Sequence, residues 1–253
     1  ISDFKKLSQQ QAREKYNLGD DSRDWTVKTA LEDATKNATK EKVKPISYRP
    51  FDTRYTVYTG NSRGLYSSPQ KNIMGNMLFE NIALVIGKSN KSQVADQFFC
   101  SKFITETKCG ESTTQSYTFP LYLFSDNGEK NILNINEVVL NEYRLLYGKD
   151  TRPIEILGYI YSIIYSPTYR IKYLEFLRMD FPRIPFTEDK KIFKQLSVLG
   201  EKLIQVHLLN EEADNPYGVF IGKGNNIVEK PNYVEEKKSG KLYINQTQYF
   251  DNV

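Results

Sequence analysis

Apolar residues fall in short β-type runs through the first half of this chain and at helical spacing through most of the second. Ile82 to Ile86 is an unbroken apolar run closed by Gly87, and Phe98 to Ile104 and Tyr117 to Phe124 follow with strand character, the last despite Pro120. Upstream, Tyr48 to Tyr58 reads as one extended strand. It starts just after Pro50 or lies at a sheet edge, because a proline cannot donate to a ladder. Alternation along it sends Phe51, Tyr55 and Val57 to a core face and Arg54, Thr56 and Tyr58 to the other. Helical signals are sparser here. Asp24 as N-cap, with Val27, Ala30, Leu31, Ala34 and Ala38, predicts an amphipathic helix that ends in a Lys-rich turn before Pro45. A short polar helix is expected within 3–18, and Ile73, Met74, Met77 and Leu78 mark another.

From Asn136 the period changes. Val138, Val139, Tyr143, Leu146 and Tyr147 predict one helix, and Pro153 in a first-turn position opens a second through Ile156, Leu157, Ile160 and Ile164. Ser166-Pro167 breaks and re-caps the chain before a stripe of Tyr169, Tyr173, Phe176 and Leu177. The following Phe181-Pro182-Arg183-Ile184-Pro185 must be extended, since a residue before proline avoids the helical region. After Thr187 as cap, Ile192, Phe193, Leu196, Leu199, Leu203 and Val206 line a long helix. Tyr217 to Ile221, Tyr233-Val234 and Leu242 to Ile244, separated by Gly and Lys turns, read as hairpins. The expected class is α+β. Residues 1–44 form a helical linker, 45–130 a basic strand-rich lobe, and 131–253 a helical lobe with terminal hairpins packed against it or continuous with it.

Composition narrows the chemistry. No apolar run approaches the roughly 20 residues that span a bilayer, and no secretory signal opens the chain, so a cytoplasmic protein without a membrane partner is expected. Two cysteines, Cys100 and Cys109, read as reduced thiols, and with a single His207 they supply too few soft ligands for zinc. Net charge is only +4, but its distribution is uneven. Across 48–108, Arg49, Arg54, Arg63, Lys71, Lys88, Lys91, Lys102 and Lys108 stand against Asp52, Glu80, Asp96 and Glu106. Basic groups interleaved with Tyr and Phe suit a phosphate-tracking surface, although solvated arginines on an edge strand give the same pattern.

Three local motifs imply other chemistry. Gly87-Lys88-Ser89 follows a strand like the end of a phosphate loop, but the glycine needed five residues before Gly87 is replaced by Ile82. Phe220-Ile221-Gly222-Lys223-Gly224 resembles the glycine turn of amino-methyltransferases, yet the chain has no Pro-Pro pair for base methylation and a β-turn fits better. Asp96, Glu106 and Lys108 have the order of a magnesium-dependent nuclease, two acids for the metal and a lysine for the attacking water. His207 has no nucleophilic or acidic partner at a telling distance along the chain. The Asn-x-Ser/Thr triplets at Asn37, Asn90 and Asn245 carry no weight in a cytoplasmic protein.

Tyr48-Arg49-Pro50-Phe51-Asp52-Thr53-Arg54-Tyr55, Asn81-Ile82-Ala83-Leu84-Val85, Phe119-Pro120-Leu121-Tyr122-Leu123, Ser166-Pro167-Thr168-Tyr169-Arg170, Tyr173-Leu174-Glu175-Phe176-Leu177, Asp180-Phe181-Pro182-Arg183-Ile184-Pro185 and Gln248-Tyr249-Phe250-Asp251-Asn252-Val253 form an ordered series of blocks. Together they resemble the C-terminal specificity region of type ISP restriction-modification enzymes, and similar regions also follow stand-alone adenine methyltransferases. The resemblance implies a target-recognition part that binds double-stranded DNA beside an upstream methyltransferase module of the same polypeptide. It implies no cofactor in this chain, with S-adenosylmethionine belonging to the upstream module, and no catalytic residue here. The family pattern continues past a segment like Val253, and Ile1 stands in mid-pattern, so a fragment of a longer chain is expected.

The expected DNA-contacting residues are Arg49, Arg54, Tyr55, Tyr58, Arg63, Lys71, Lys88, Lys102, Thr105, Glu106, Lys108 and Arg170. Lysines would meet phosphates and the arginines of 49–63 would present forks to guanine edges, while the polar 105–116 loop adds contacts. The rival readings are the nuclease on Asp96, Glu106 and Lys108, and a protein-interaction scaffold.

Overall fold

A computed structural model describes residues 1–253 apart from 90–94, 126–127, 213–217 and 237–238; Asn90, Lys91 and Tyr217 lie outside the described residues. It divides into two compact units, Ile1–Asn210 and Glu211–Val253. The mixed helix and strand content bears out the α+β class.

The first unit opens with α1 (Gln9–Tyr16), held by a capping box between Ser8 and Gln11, and α2 (Val27–Asn37). Val27, Ala30 and Ala34 are buried as the spacing predicts. The cap of α2 is Thr26, whose hydroxyl accepts from the Thr29 amide, and not Asp24, which pairs with Arg23. Then come β1 (Val43–Arg49) and β2 (Asp52–Val57), which form a hairpin where a single strand was expected. The turn at Pro50-Phe51 puts Phe51 at φ 60°, so the chain reverses inside the Tyr48–Tyr58 run.

After the short α3 (Lys71–Met74), β3 (Ala83–Gly87) lies between β4 (Phe98–Ser101) and β6 (Ser116–Pro120) in an antiparallel sheet. All five residues of β3 are buried, as an unbroken apolar run demands. The expected Phe98–Ile104 strand is broken after Ser101, whose hydroxyl bonds the Phe103 carbonyl, and β5 (Ile104–Thr105) leaves to pair parallel with β1. The ladder ends at Pro120, and β7 (Tyr122–Phe124) pairs with β8 (Lys130–Leu133).

Four helices complete this unit: α4 (Glu137–Tyr147), α5 (Pro153–Tyr165), α6 (Pro167–Leu177) and α7 (Lys190–His207). Leu157, Tyr161 and Ile164 of α5 and Ile204 of α7 share one core with Leu84 and Ile86 of β3 and Phe98 and Cys100 of β4. On the other side of α5, Tyr147 and Phe193 stack face to face with ring centroids 3.8 Å apart. The buried stripe of α7 is Phe193, Ser197, Gly200 and Ile204, displaced from the predicted one, and Ile192 and Leu199 are exposed. In α4, Leu140, Tyr143 and Tyr147 are buried, while Val138 faces out. The cap of α7 is Asp189, not Thr187.

The displacement in α7 has a steric cause. A Cβ at Gly200 would lie 1.7 Å from the Gly158 carbonyl oxygen, so α5 and α7 cross with backbone touching backbone. Small residues at this crossing draw the Ser197–Gly200 face inward and turn the larger apolar residues beside it outward.

The second unit is an antiparallel sheet ordered β10 (Asn232–Glu235), β11 (Gly240–Tyr243), β12 (Tyr249–Asp251) and β9 (Val219–Ile221). The fourth strand, β12, was not foreseen as one. Its anchor is the buried Gln248, whose amide donates to Asn226 Oδ1 and whose carbonyl accepts from the Asn226 amide and from Asn245.

In an open helix, Gly→Ala stabilises by about 1 kcal/mol. Gly200→Ala is expected to reverse that sign and destabilise by about 1–3 kcal/mol, the usual cost of overpacking. Urea unfolding midpoints measure it, and a more stable variant would show that the two helices have room to part.

Candidate nucleic-acid interface

The β1–β2 register places Ile46 opposite Arg54, and Ser47 opposite Thr53, but then Arg49 opposite Asp52. Tyr48 is therefore a one-residue bulge, a device that re-aims side chains locally. Ile46 packs into the core with Tyr58, Met77, Ala83 and Ile104, which fixes the inward face of the hairpin. The predicted grouping of Arg54, Thr56 and Tyr58 holds, but the two faces are reversed. Tyr58 is 4% exposed and its hydroxyl donates to the Pro69 carbonyl, while Tyr55 is 77% and Phe51 58% exposed. Cross-strand register decides the face, and one strand's alternation cannot reveal it.

Arg54 escapes that core because it lies at the hairpin mouth. Its guanidinium carbon lies 3.8 Å from the centroid of the Tyr48 ring, and that of Arg49 lies 4.2 Å from the same ring. Arg54 donates from Nε and Nη2 to Asp52, at 3.0 and 2.9 Å to Oδ2. Arg49 donates from Nη1 to Glu106 Oε2 at 2.5 Å. Glu106 also accepts from the Lys108 amide, and its own amide donates to the Ser47 carbonyl. Arg49 and Arg54 are thus brought together on a tyrosine, with Glu106 bonded to Arg49 and the Lys108 backbone bonded to Glu106.

A second group gathers at the 60–64 loop. Arg63, at φ 56°, lies at the loop tip, and Lys71 packs its stem beside Gly60. The organiser is Asp33, set among the apolar positions of α2. Its carboxylate accepts from the Leu65 amide, the Thr59 hydroxyl, and the amides of Asn61 and Asn37. A Cβ at Gly64 would lie 2.3 Å from Asp33 Oδ2, so only glycine admits this approach. Burial raises the Asp33 pKa, but those four donors outweigh it and hold the carboxyl below its ordinary value of 3.8. The signal was present in the sequence as a carboxylate inside an apolar helical stripe.

The remaining predicted residues divide. Lys88, just past β3, lies 3.9 Å from Asp180 and over the Phe181 ring, which Tyr117 and Phe119 also touch edge-on. Lys102 donates to Asn210 Oδ1. Thr105 is buried and bonded to the Thr118 hydroxyl at 2.6 Å, so it braces the sheet and has no open face. Arg170 turns inward, donating to the Ile164 carbonyl and stacking 4.3 Å from the centroid of Tyr165. Tyr58, Thr105 and Arg170 are corrected from surface to interior roles by these contacts. His207 is also internal, its Nδ1 2.6 Å from the Tyr161 hydroxyl and its ring against Phe51, and burial lowers its pKa.

The cations are not bare. Arg63 lies 3.9 Å from Asp24, so Arg49, Arg54, Arg63 and Lys88 each have a carboxylate neighbour. Among the described residues, Lys71 and Lys108 have no ion-pair partner. The nuclease arrangement does not hold, because Glu106 is committed to Arg49, and among the described residues no three His, Cys, Asp or Glu side chains gather as a metal site requires. Within the 105–116 loop, Glu111 is tied to its own turn by the Thr113 hydroxyl and amide, which pull its pKa to about 2.

A family model, described as Type ISP C-terminal specificity domain, matches residues 1–253. The chain belongs to this family. Similar solved structures include "cryoEM structure DrdV-DNA complex", 21% identical with TM-score 0.68, over 98% of this chain and 25% of that one. "ATP-dependent Type ISP restriction-modification enzyme LlaBIII bound to DNA" is 18% identical with TM-score 0.67, over 100% and 17%. A nuclease-deletion mutant of the Type ISP enzyme LlaGI, in complex with a DNA substrate mimic, is 18% identical with TM-score 0.59, over 88% and 19%. These likenesses establish the fold, and this specificity domain spans a quarter or less of each of those chains. No curated protein matches it significantly in sequence. No described helix is long and apolar enough to cross a membrane.

Asp33 gives this specificity domain an acid-sensitive loop. A carboxyl with a depressed folded pKa contributes stability fully above its unfolded value, 3.8, and loses it as pH falls through the lower folded value. Asp33→Asn is therefore expected to be less stable than wild type at pH 6, with the gap closing below about pH 4. Urea midpoints across pH 2.5–6 measure the gap, and one that stays constant would contradict the assignment.

Proposed function

We propose that this domain reads a double-stranded DNA sequence for a restriction-modification enzyme and makes or breaks no bond itself. The observation that carries the reading is the pair of guanidinium groups on Tyr48 at an exposed hairpin mouth. Arginine forks held at a fixed angle suit base edges, where a bidentate contact to guanine is worth about 1–3 kcal/mol of discrimination. Membership in a family of specificity domains supports it, as do three structural neighbours that are themselves complexes with DNA or a DNA substrate mimic.

The carboxylate neighbours fit this role. Arg54, Arg63 and Lys88 are 57%, 71% and 52% exposed at their side chains, and exposed pairs of this kind contribute about 0–1 kcal/mol. A phosphate or base edge can replace Asp24 or Asp180 at small cost. Arg49, 30% exposed and bonded to Glu106, supports its neighbour more than it reaches outward. Lys71, Lys88, Lys102 and Lys108 supply phosphate contacts, and Tyr55 adds an exposed ring on β2. In the parent polypeptide, the grip holds the duplex while an upstream adenine methyltransferase, using S-adenosylmethionine, acts on a flipped base.

Binding to a random duplex pool, titrated with salt and followed by selection and sequencing, tests this. Wild type is expected to lose affinity steeply with salt and to enrich a defined sequence. Lys71→Ala lowers the salt slope by about 1 and leaves the enriched sequence unchanged, whereas Arg54→Gln relaxes one base position. Retention that ignores salt, or enrichment of no sequence, overturns the reading.

A further inference from the structure

We infer that Tyr48 is the positioning residue of this interface, aiming the Arg54 fork through its ring, and this rests on the DNA-recognition reading above. Three independent features converge on it. Tyr48 is the unpaired residue of the β1 bulge, between Ser47 opposite Thr53 and Arg49 opposite Asp52. Its ring takes guanidinium groups from both strands, Arg49 at 4.2 Å and Arg54 at 3.8 Å. Its backbone carbonyl accepts from Arg49 Nη1, the same nitrogen that bonds Glu106.

The consequence for Arg54 follows from guanidinium geometry. Asp52 takes the side edge formed by Nε and Nη2. The plane is then held both by that carboxylate and by the ring, and among the described residues no acceptor bonds Nη1, so the end-on edge formed by Nη1 and the second hydrogen of Nη2 stays open. An arginine restrained in this way loses little side-chain freedom when it binds, so its contact gains both affinity and angular selectivity. Arg49 touches the same ring from its own strand and is itself bonded to Glu106, which adds a second contact holding the ring in place. Without the bulge, Tyr48 would alternate in register with Ile46 and the ladder would offer no such platform.

The test uses Tyr48→Phe, which keeps the ring, and Tyr48→Leu, which removes it. The probes are the duplex enriched by wild type and a scrambled duplex of equal length. Tyr48→Phe is expected within about twofold of wild type on both. Tyr48→Leu is expected to lose about tenfold on the enriched duplex, the scale of cation–π stacking at a desolvated site, and under about threefold on the scrambled one. A fold defect would weaken both equally, so the ratio isolates positioning. In the free protein, side-chain proton resonances of Arg54 should be shifted upfield by the ring in wild type and Tyr48→Phe, and return to ordinary values in Tyr48→Leu.

If wild type enriches a sequence and Tyr48→Leu keeps the full ratio, the positioning role falls while DNA recognition stands. A Tyr48→Phe loss as large as that of Tyr48→Leu also overturns it, as does an unshifted Arg54 in wild type. If wild type enriches nothing, both readings fall together.

Discussion

Because Tyr48 has no partner on β2, the β1–β2 ladder slips by one residue, and the charged groups at the hairpin mouth take their directions from that slip. Below the bulge, Ile46 and Tyr58 bind the hairpin to a core shared with Met77, Ala83 and Ile104. At the bulge, the Tyr48 ring meets two guanidinium groups, one from each strand. A regular ladder would have continued the alternation to the end of the strand. The irregularity converts a half-buried edge into a platform, while the regular part beneath keeps the platform rigid.

Carboxylates do three different jobs around these cations. Asp33 is an internal joint, saturated by four donors, and it shapes the loop that carries Arg63. Glu106 and Glu111 tie the polar 105–116 segment to the sheet and to itself. Asp52, Asp24 and Asp180 lie on exposed pairs that water and salt weaken. Counting charge along the chain treats all of them alike. Only burial and hydrogen bonding separate those that are structural from those that a polyanion can displace.

The helical half gives the sheet its backing. Contact between the backbones of Gly158 and Gly200 lets α5 and α7 act as one slab, on which β3 and β4 lay Leu84, Ile86, Phe98 and Cys100. Aromatic hydroxyls then fasten the proline-rich 181–187 stretch, with Tyr147, Tyr159 and Tyr169 donating to the carbonyls of Thr187, Pro185 and Arg183. Each of these tyrosines buries its ring and satisfies its hydroxyl at a backbone acceptor.

The sequence by itself determined the elements whose period is unambiguous: the buried strand 83–87, the helices opened by Pro153 and Pro167, and the extended run forced by Pro182 and Pro185. It also carried the ordered blocks that mark the family, and the basic bias of residues 48–108. It did not contain the face of the hairpin, because strand alternation has two solutions and the choice belongs to Ile46 on a neighbouring strand. For α7 it placed Phe193, Leu196 and Leu203 inward correctly but missed Ser197 and Gly200, since hydrophobicity favours large apolar groups where close packing demanded small ones. Tyr58, Thr105 and Arg170 looked like surface groups until non-local partners at Pro69, Thr118 and Ile164 claimed them. Which polar side chains remain available is a property of contacts between distant residues, and only the tertiary structure decided it.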